Sequence, residues 1–341
     1  MIWRHIAAAA ILTAMTLPAN AKATLFDWAD LSGWAEDDHS AALTVFLETC
    51  RDLNEGDWPV ICRLAGTTTD ARLFFETTFR PVMITDDEEP LFTGYYEPEL
   101  PGSRVQSEEF PVPLYRLPED IPENGPWLTR GELKESGVLE NRGLELVWLK
   151  NEVDKFFLQI QGSGRIRLAE GGLVRVGYGG KNGHPYRSVG KELIRRGEME
   201  EHQVSAQAIR NWVQSNPERG ADLLNHNPSY VFFREVSQVD PAKGPLGAMN
   251  RSITAGRSIA VDPEVVPLGA PVWLEKAGAS PLRRLMVAQD TGAAIDGAQR
   301  ADIFYGSGPE AGRQAGRIRD GGRMIVLLPI AEAMALVDAS L

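Results

Sequence analysis

The sequence predicts a mainly β protein with helices, containing a barrel and a second β-rich unit in its middle. Three observations predict it. After about Pro241 come the short apolar segments "RSIAV", "APVWLEK", "RRLMVAQD", "ADIFYG" and "GRMIVLLP", parted by Pro/Gly turns such as "DPEVVPLGAP". Strands at that spacing suggest a barrel. Upstream, "KFFLQIQGSGRIRL" and "GLVRVGYGG" alternate around glycine turns, as short antiparallel strands do. Helical spacing is limited to a few bounded stretches near the start and between these two groups.

Taken in order, the chain first shows "MIWRHIAAAAILTAMTLPANAKA", with an early arginine and an apolar run from Ile6 to Pro18. Ala19-Asn20-Ala21 and Ala21-Lys22-Ala23 both fit a cleavage site, so residues 1–23 read as a secretory signal peptide. The run falls short of the ~20 residues a membrane-spanning helix needs. About 320 of 341 residues then remain, enough for two cores at roughly 100–200 residues per domain. "DDHSAALTVFLETCRDL" (37–53) reads as a capped helix and "TDARLFFETTF" (69–79) as a second. "EPLFTGYYEPELPGS" reads as a strand entering a loop. From Glu108 to Leu149 the chain is rich in Pro, Gly and charge, and the alternating strands follow. "YRSVGKELIRRGEM", "SAQAIRNWVQSN" and "GADLLNHNP" are helices, the last stopped by Asn-Pro. The barrel strands complete the chain. Composition leaves open whether the middle unit interrupts the barrel.

Charge narrows the function. The formal net charge is -12, a poor match to nucleic acid or anionic lipid and an easier one to a glycan of little charge. The two cysteines, Cys50 and Cys62, are either a local disulfide or two buried thiols. The histidines are scattered without ligand spacing, so no metal site, Cys/His nucleophile or cofactor is called for.

"AQDTGAAIDGAQRADIFYGSG" (288–308) carries the chemistry. On a strand, Asp302 shares a face with Phe304, and a carboxylate inside an apolar strand is costly unless it is used. Asp290 ends the preceding apolar run. Two carboxylates at the ends of adjacent strands can meet in a cleft, where desolvation and mutual repulsion raise a pKa toward that of a general acid. Asp296 precedes Gly297 and reads as a turn residue. An aspartic protease needs two Asp-Thr-Gly elements, and only one occurs here, so a homodimer would have to supply the second. The glycine turns of "LQIQGSGRIRL" and "YGGKNGHPYRS" lack the phosphate-loop pattern. They present Gln161, Ser163, Lys181, Asn182, Tyr186 and Arg187, which suit sugar hydroxyl and acetamido groups.

Read together, "TGYYEP" (93–98), "QGSGRI" (161–166), "YGGKNGHPYRSVGK" (178–191), "NPSYVFF" (227–233), "GRSIAVDP", "RLMVAQDTGAAIDG", "ADIFYGSGPEAG" and "GGRMIVLLP" resemble the membrane-bound lytic murein transglycosylase A family. The resemblance implies a double-psi β-barrel from residues 24–103 and 239–341, with the family's 3D domain at about 240–330. A β-rich domain at 104–238 would be inserted as the other wall of a glycan groove. It implies that Asp302 is the single catalytic acid and base, that Asp290 and Asp262 support it, and that Thr93, Tyr95 and Tyr96 bind substrate beside it. The substrate would be peptidoglycan, cut between N-acetylmuramic acid and N-acetylglucosamine with closure of a 1,6-anhydro ring. The location would be periplasmic. No lipobox cysteine follows the signal peptide, so acylation is not expected, while peripheral outer-membrane association and other cell-wall partners stay open. The alternatives are a hydrolytic muramidase using two carboxylates and a wall-binding protein without catalysis.

Overall fold

The computed structural model describes residues 20–122, 125–237, 239–240 and 243–340. Most of the expected signal peptide, residues 1–19, lies outside them. No helix among the described residues is long and apolar enough to cross a bilayer.

The chain opens with strand β1 (Lys22–Leu25) and helices α1 (His39–Thr49), α2 (Trp58–Ala65) and α3 (Ala71–Thr78). Asp38 accepts from the Ala41 N–H and Asp70 from the Leu73 N–H, so each aspartate caps its helix by satisfying an otherwise orphan donor. Cys50 and Cys62 are bridged, with Cα atoms 5.4 Å apart, which ties the end of α1 to α2. Strands β2 (Phe79–Thr85), β3 (Leu91–Glu97) and β4 (Glu99–Ser103) follow almost without pause. The segment read as a loop after "TGYYEP" is therefore a further strand.

Next come β5 (Val112–Tyr115), α4 (Arg130–Ser136), β6 (Glu145–Leu149) and α5 (Glu152–Gln161). Helix α5 corrects the strand reading of "KFFLQIQ". Asn151 caps it through the Asp154 N–H, Val153, Phe156 and Phe157 bury at helical spacing, and Gly162 ends it at φ 75°. The run satisfies both periods, and the cap and C-terminal glycine decide for helix. After α5 the chain forms β7 (Gly164–Leu168), β8 (Leu173–Lys181), α6 (Val189–Arg195), α7 (Ala206–Ser215), α8 (Pro217–Asn225) and β9 (Val231–Glu235). It ends with β10 (Ser258–Val261), β11 (Pro271–Lys276), β12 (Leu282–Asp290), β13 (Arg300–Ser307), α9 (Gly308–Ala315), β14 (Arg319–Asp320), β15 (Gly322–Pro329) and α10 (Ile330–Ala339).

These strands make two mixed sheets. The first runs β1-β2-β15-β11-β12-β10-β13-β3-β14 and curls into a nearly closed barrel. Within it β10 pairs parallel with β12, and β13 parallel with β3. The second runs β5-β6-β4-β7-β8-β9. Each has its own core: Phe46, Phe75, Phe79 and Trp273 under the barrel, and Leu114, Leu149, Val176 and Phe233 in the second sheet. A third cluster packs Phe156, Leu193 and Leu223 among the helices beside the second sheet.

The chain passes from one sheet to the other at Pro98. There Glu97, wholly buried, accepts from Arg165 Nε at 2.8 Å, pairs with Arg175 Nε at 2.8 Å and accepts from Ser307 Oγ at 2.6 Å. Arg175 also donates to the carbonyls of Asp240 and Lys243 on the returning chain. The outgoing and returning segments thus share one buried ionic neck.

Candidate active site

Register positions the two aspartates. Asp302 on β13 lies opposite Thr93 on β3 and Ala260 on β10, and Ala260 in turn lies opposite Asp290 on β12. Residues opposed across a sheet project from the same face, so Thr93, Asp302, Ala260 and Asp290 form one row. A bulge between Ile259 and Ala260 brings Asp290 into line. Ala260, with only a methyl between two carboxylates, leaves room for both.

Thr93 Oγ1 donates to Asp302 Oδ1 at 2.9 Å. Burial raises the Asp302 pKa to about 6, against the lowering pull of the Thr93 hydrogen bond and the Arg300 charge, with a smaller push upward from Asp290. Desolvation is therefore the dominant cause, and repulsion between the carboxylates is secondary. Arg300 is two residues from Asp302 on the same strand and donates to the carbonyls of Leu91 and Ala301.

Asp290 is held differently. Its Oδ2 accepts from Tyr95 Oη at 2.8 Å, and its Oδ1 accepts from the N–H groups of Ala248 and Thr291, both at 3.0 Å. Burial raises its pKa to about 6 as well, with those three donors opposing. Three donors on one carboxylate leave it little capacity to activate water.

The remaining expected residues divide. Tyr95 is buried, its ring tilted against that of Phe304 with centres 5.3 Å apart and its hydroxyl spent on Asp290, so it positions an aspartate and is not free to bind a sugar. Asn182 also departs from the substrate reading. It is buried, donates to the carbonyls of Leu128 and Pro228, and accepts from the Tyr230 N–H, clamping two segments of backbone to the end of β8. Gln161 Oε1 accepts from the Tyr96 N–H and joins the end of α5 to β3. Ser163 is buried two residues later. Lys181 and Arg187 are exposed and Tyr186 half-buried, all at or beyond the end of β8. Among the described residues none of these three shares a hydrogen bond with Thr93, Asp290 or Asp302. Asp262 accepts from the N–H groups of Glu264 and Gly297, so it fixes the turn before β13. Asp296 is exposed on that turn, where Gly297 takes φ 103°.

Sequence reasoning missed Ala260, Arg300, Glu97 and Gly312. A Cβ on Gly312 would lie 2.7 Å from the Tyr96 ring, so only glycine lets α9 pack there. The small residues of "GPEAG" were the available signal. For Ala260 there was none, since its role exists only in register. No group of three His, Cys, Asp or Glu gathers as a metal site among the described residues.

An aspartate pair in this setting fits acid–base chemistry on a bound polymer. Residues 91–234 match the MltA specific insert domain and residues 257–328 match the 3D domain. The membrane-bound lytic murein transglycosylase A of Escherichia coli (strain K12) is 39% identical over 246 residues, covering 69% of this chain and 65% of that protein. The matched region thus spans a little under two thirds of that relative's length. The crystal structure of a membrane-bound lytic murein transglycosylase from Agrobacterium tumefaciens superposes with a TM-score of 0.82 at 30% identity, over 92% of this chain and 99% of that one. E. coli MltA with bound chitohexaose superposes with a TM-score of 0.72 at 30% identity, over 90% and 94% of the two chains.

Proposed function

The chain belongs to the membrane-bound lytic murein transglycosylase A family, and on that premise we propose that it cleaves peptidoglycan glycan strands without consuming water. The bond is the β-1,4 link between N-acetylmuramic acid and N-acetylglucosamine. Asp302, protonated, gives its proton to the glycosidic oxygen as that oxygen leaves C1. The resulting carboxylate takes the proton of the muramoyl C6 hydroxyl, and O6 bonds to C1 to close the 1,6-anhydro ring. One carboxyl serves first as acid and then as base. Thr93 orients it, and Asp290, held by Tyr95, biases its charge.

The observation that carries this reading over a two-carboxylate hydrolase is the binding of Asp290 by three donors. A hydrolase uses its second carboxylate as nucleophile or water activator, a task that competes with the three donors already on Asp290. Support for the substrate class comes from the relatives named as murein transglycosylases and from the neighbour that holds chitohexaose.

In this reading residues 24–103 and 239–341 form the catalytic barrel. Residues 104–238 supply the facing wall of the glycan groove, with Gln161, Ser163, Lys181, Tyr186 and Arg187 as its polar contacts, and Tyr96 meets them from the barrel side. Export through a cleaved signal peptide would bring the protein to its periplasmic substrate.

Mass spectrometry of products released from purified sacculi tests the proposal. Muropeptides lighter by one water and lacking a reducing end are expected, and Asp302→Asn should release none while still sedimenting with sacculi. Reducing-end products would make the protein a muramidase, and unaltered cleavage by Asp302→Asn would remove the catalytic assignment.

A further inference from the structure

Away from the aspartate row, the helical side of the second unit holds a cavity of about 450 Å³, within the range of roughly 300–1,000 Å³ usual for small-molecule sites. Asn151, Glu152, Val153 and Lys155, at the start of α5, form one wall. The other end of that helix, Gln161, meets Tyr96. At 1.5 Å per residue the two ends stand about 14 Å apart. Thr93, Asp290 and Asp302 do not line the cavity. It is a separate feature from the catalytic row.

Its floor carries an uncompensated cation. Arg130 is 7% exposed and donates to Gln159 Oε1, to the Asn227 carbonyl and to the Ser229 carbonyl, all neutral acceptors. Its guanidinium lies 4.8 Å from the Phe156 ring centre and 5.2 Å from that of Tyr230. Among the described residues no carboxylate comes within ion-pair distance of it. Lys155 Nζ, also buried, has one carboxylate partner, Glu152 at 2.9 Å. At the exposed rim Lys134 faces the cavity together with Glu140. Three cations against two carboxylates leave a net charge of +1. Tyr115, Leu133, Val213, Leu224 and Tyr230 make the remaining surface largely apolar.

A buried cation without a counter-ion is costly, and its field favours an anion that brings its own. Burial pulls the Arg130 pKa down to about 10, with the Glu152 charge only partly opposing it. The apolar walls exclude a fully hydrated multivalent anion and suit a molecule with one charged end.

We propose that this cavity binds a small monocarboxylate with an apolar body, of the size of a short peptide with a free C-terminus. Two sources carry that chemistry: a free acid or peptide, and the stem peptide of a murein strand. The second source rests on the function proposed above.

The first test is calorimetric titration of the mature protein with N-acetyl-alanyl-alanine and with its C-terminal amide. The acid should bind saturably and the amide at least tenfold more weakly. Ala221→Phe, at a half-buried wall position on α8, should fill the cavity and weaken acid binding at least tenfold. Lys155→Met should weaken it similarly, and should that variant fail to fold, Ala221→Phe decides alone. Equal binding of acid and amide, or unchanged binding by Ala221→Phe, overturns the site. Cleavage of sacculi with and without stem peptides then distinguishes the sources. Loss by Ala221→Phe of a wild-type preference for peptide-bearing strands assigns the stem peptide, and a preference equal in both proteins assigns a free acid. Absence of cleavage by the wild type would count against the transglycosylase reading and leave the binding result in place.

Discussion

A carboxyl with a pKa of about 6 keeps its proton in roughly one molecule in ten at pH 7, against about one in a thousand for an unperturbed aspartate near 3.9. The acid step of the proposed mechanism gains accordingly, and cleavage should fall as pH rises through the Asp302 pKa. Thr93→Val removes a hydrogen bond that favours the ionised form. The Asp302 pKa then rises, and the alkaline limb of the kcat profile should move up by as much as about one pH unit. A limb that stays in place or moves down would exclude Thr93 as a tuning group. The raised pKa also has a thermodynamic sign. Its favourable contribution to folding is fully present below the unfolded value near 3.9 and is lost as pH passes through about 6. Asp302→Asn should therefore be more stable than wild type at pH 8, by about 1–3 kcal/mol, with a difference roughly half as large at pH 5. Thermal unfolding at the two pH values reads this directly, and an equal difference at both would mean the carboxyl is not desolvated.

At the scale of the strands, the site depends on a methyl group. Ala260 separates β13 from β12 in the row of aspartates and is itself buried. Ala260→Val should cost about 1–3 kcal/mol by overpacking and lower cleavage more than tenfold, because the added methyls lie between the carboxylates. Stability loss with full activity would show that the row tolerates spreading. This is also where legibility in the sequence ends. β10, β11, β12, β13 and β15 were readable because apolar runs and Pro/Gly turns mark them. Asp302 was readable because an internal strand carboxylate breaks the pattern. The alignment of Asp302 with Thr93, some two hundred positions away, left no local trace. Helix α5 was misread because its apolar residues satisfy two periods at once. Tyr95 and Asn182 were misread because residue type does not say whether a polar group faces a ligand or its own backbone.

The whole molecule turns on the neck at Glu97. Removing the carboxylate shared by Arg165 and Arg175 in Glu97→Gln should cost about 3–5 kcal/mol, the usual penalty for breaking a buried ion pair from one side. Urea unfolding would measure it, and an unchanged midpoint would show that Ser307 and the carbonyls of Asp240 and Lys243 suffice. The neck has a further consequence for how the chain reaches this state. β2 pairs with β15, Val82 opposite Val326, and β3 pairs with β13, so these two early strands wait for partners that emerge late from synthesis. Everything between Glu99 and Glu235 can pair within itself. Once it does, its two ends are drawn together, and the long loop whose closure entropy would burden the barrel becomes a short one. The second sheet is then expected to organise first, and the aspartate row, assembled from both ends of the chain, to be among the last things to form.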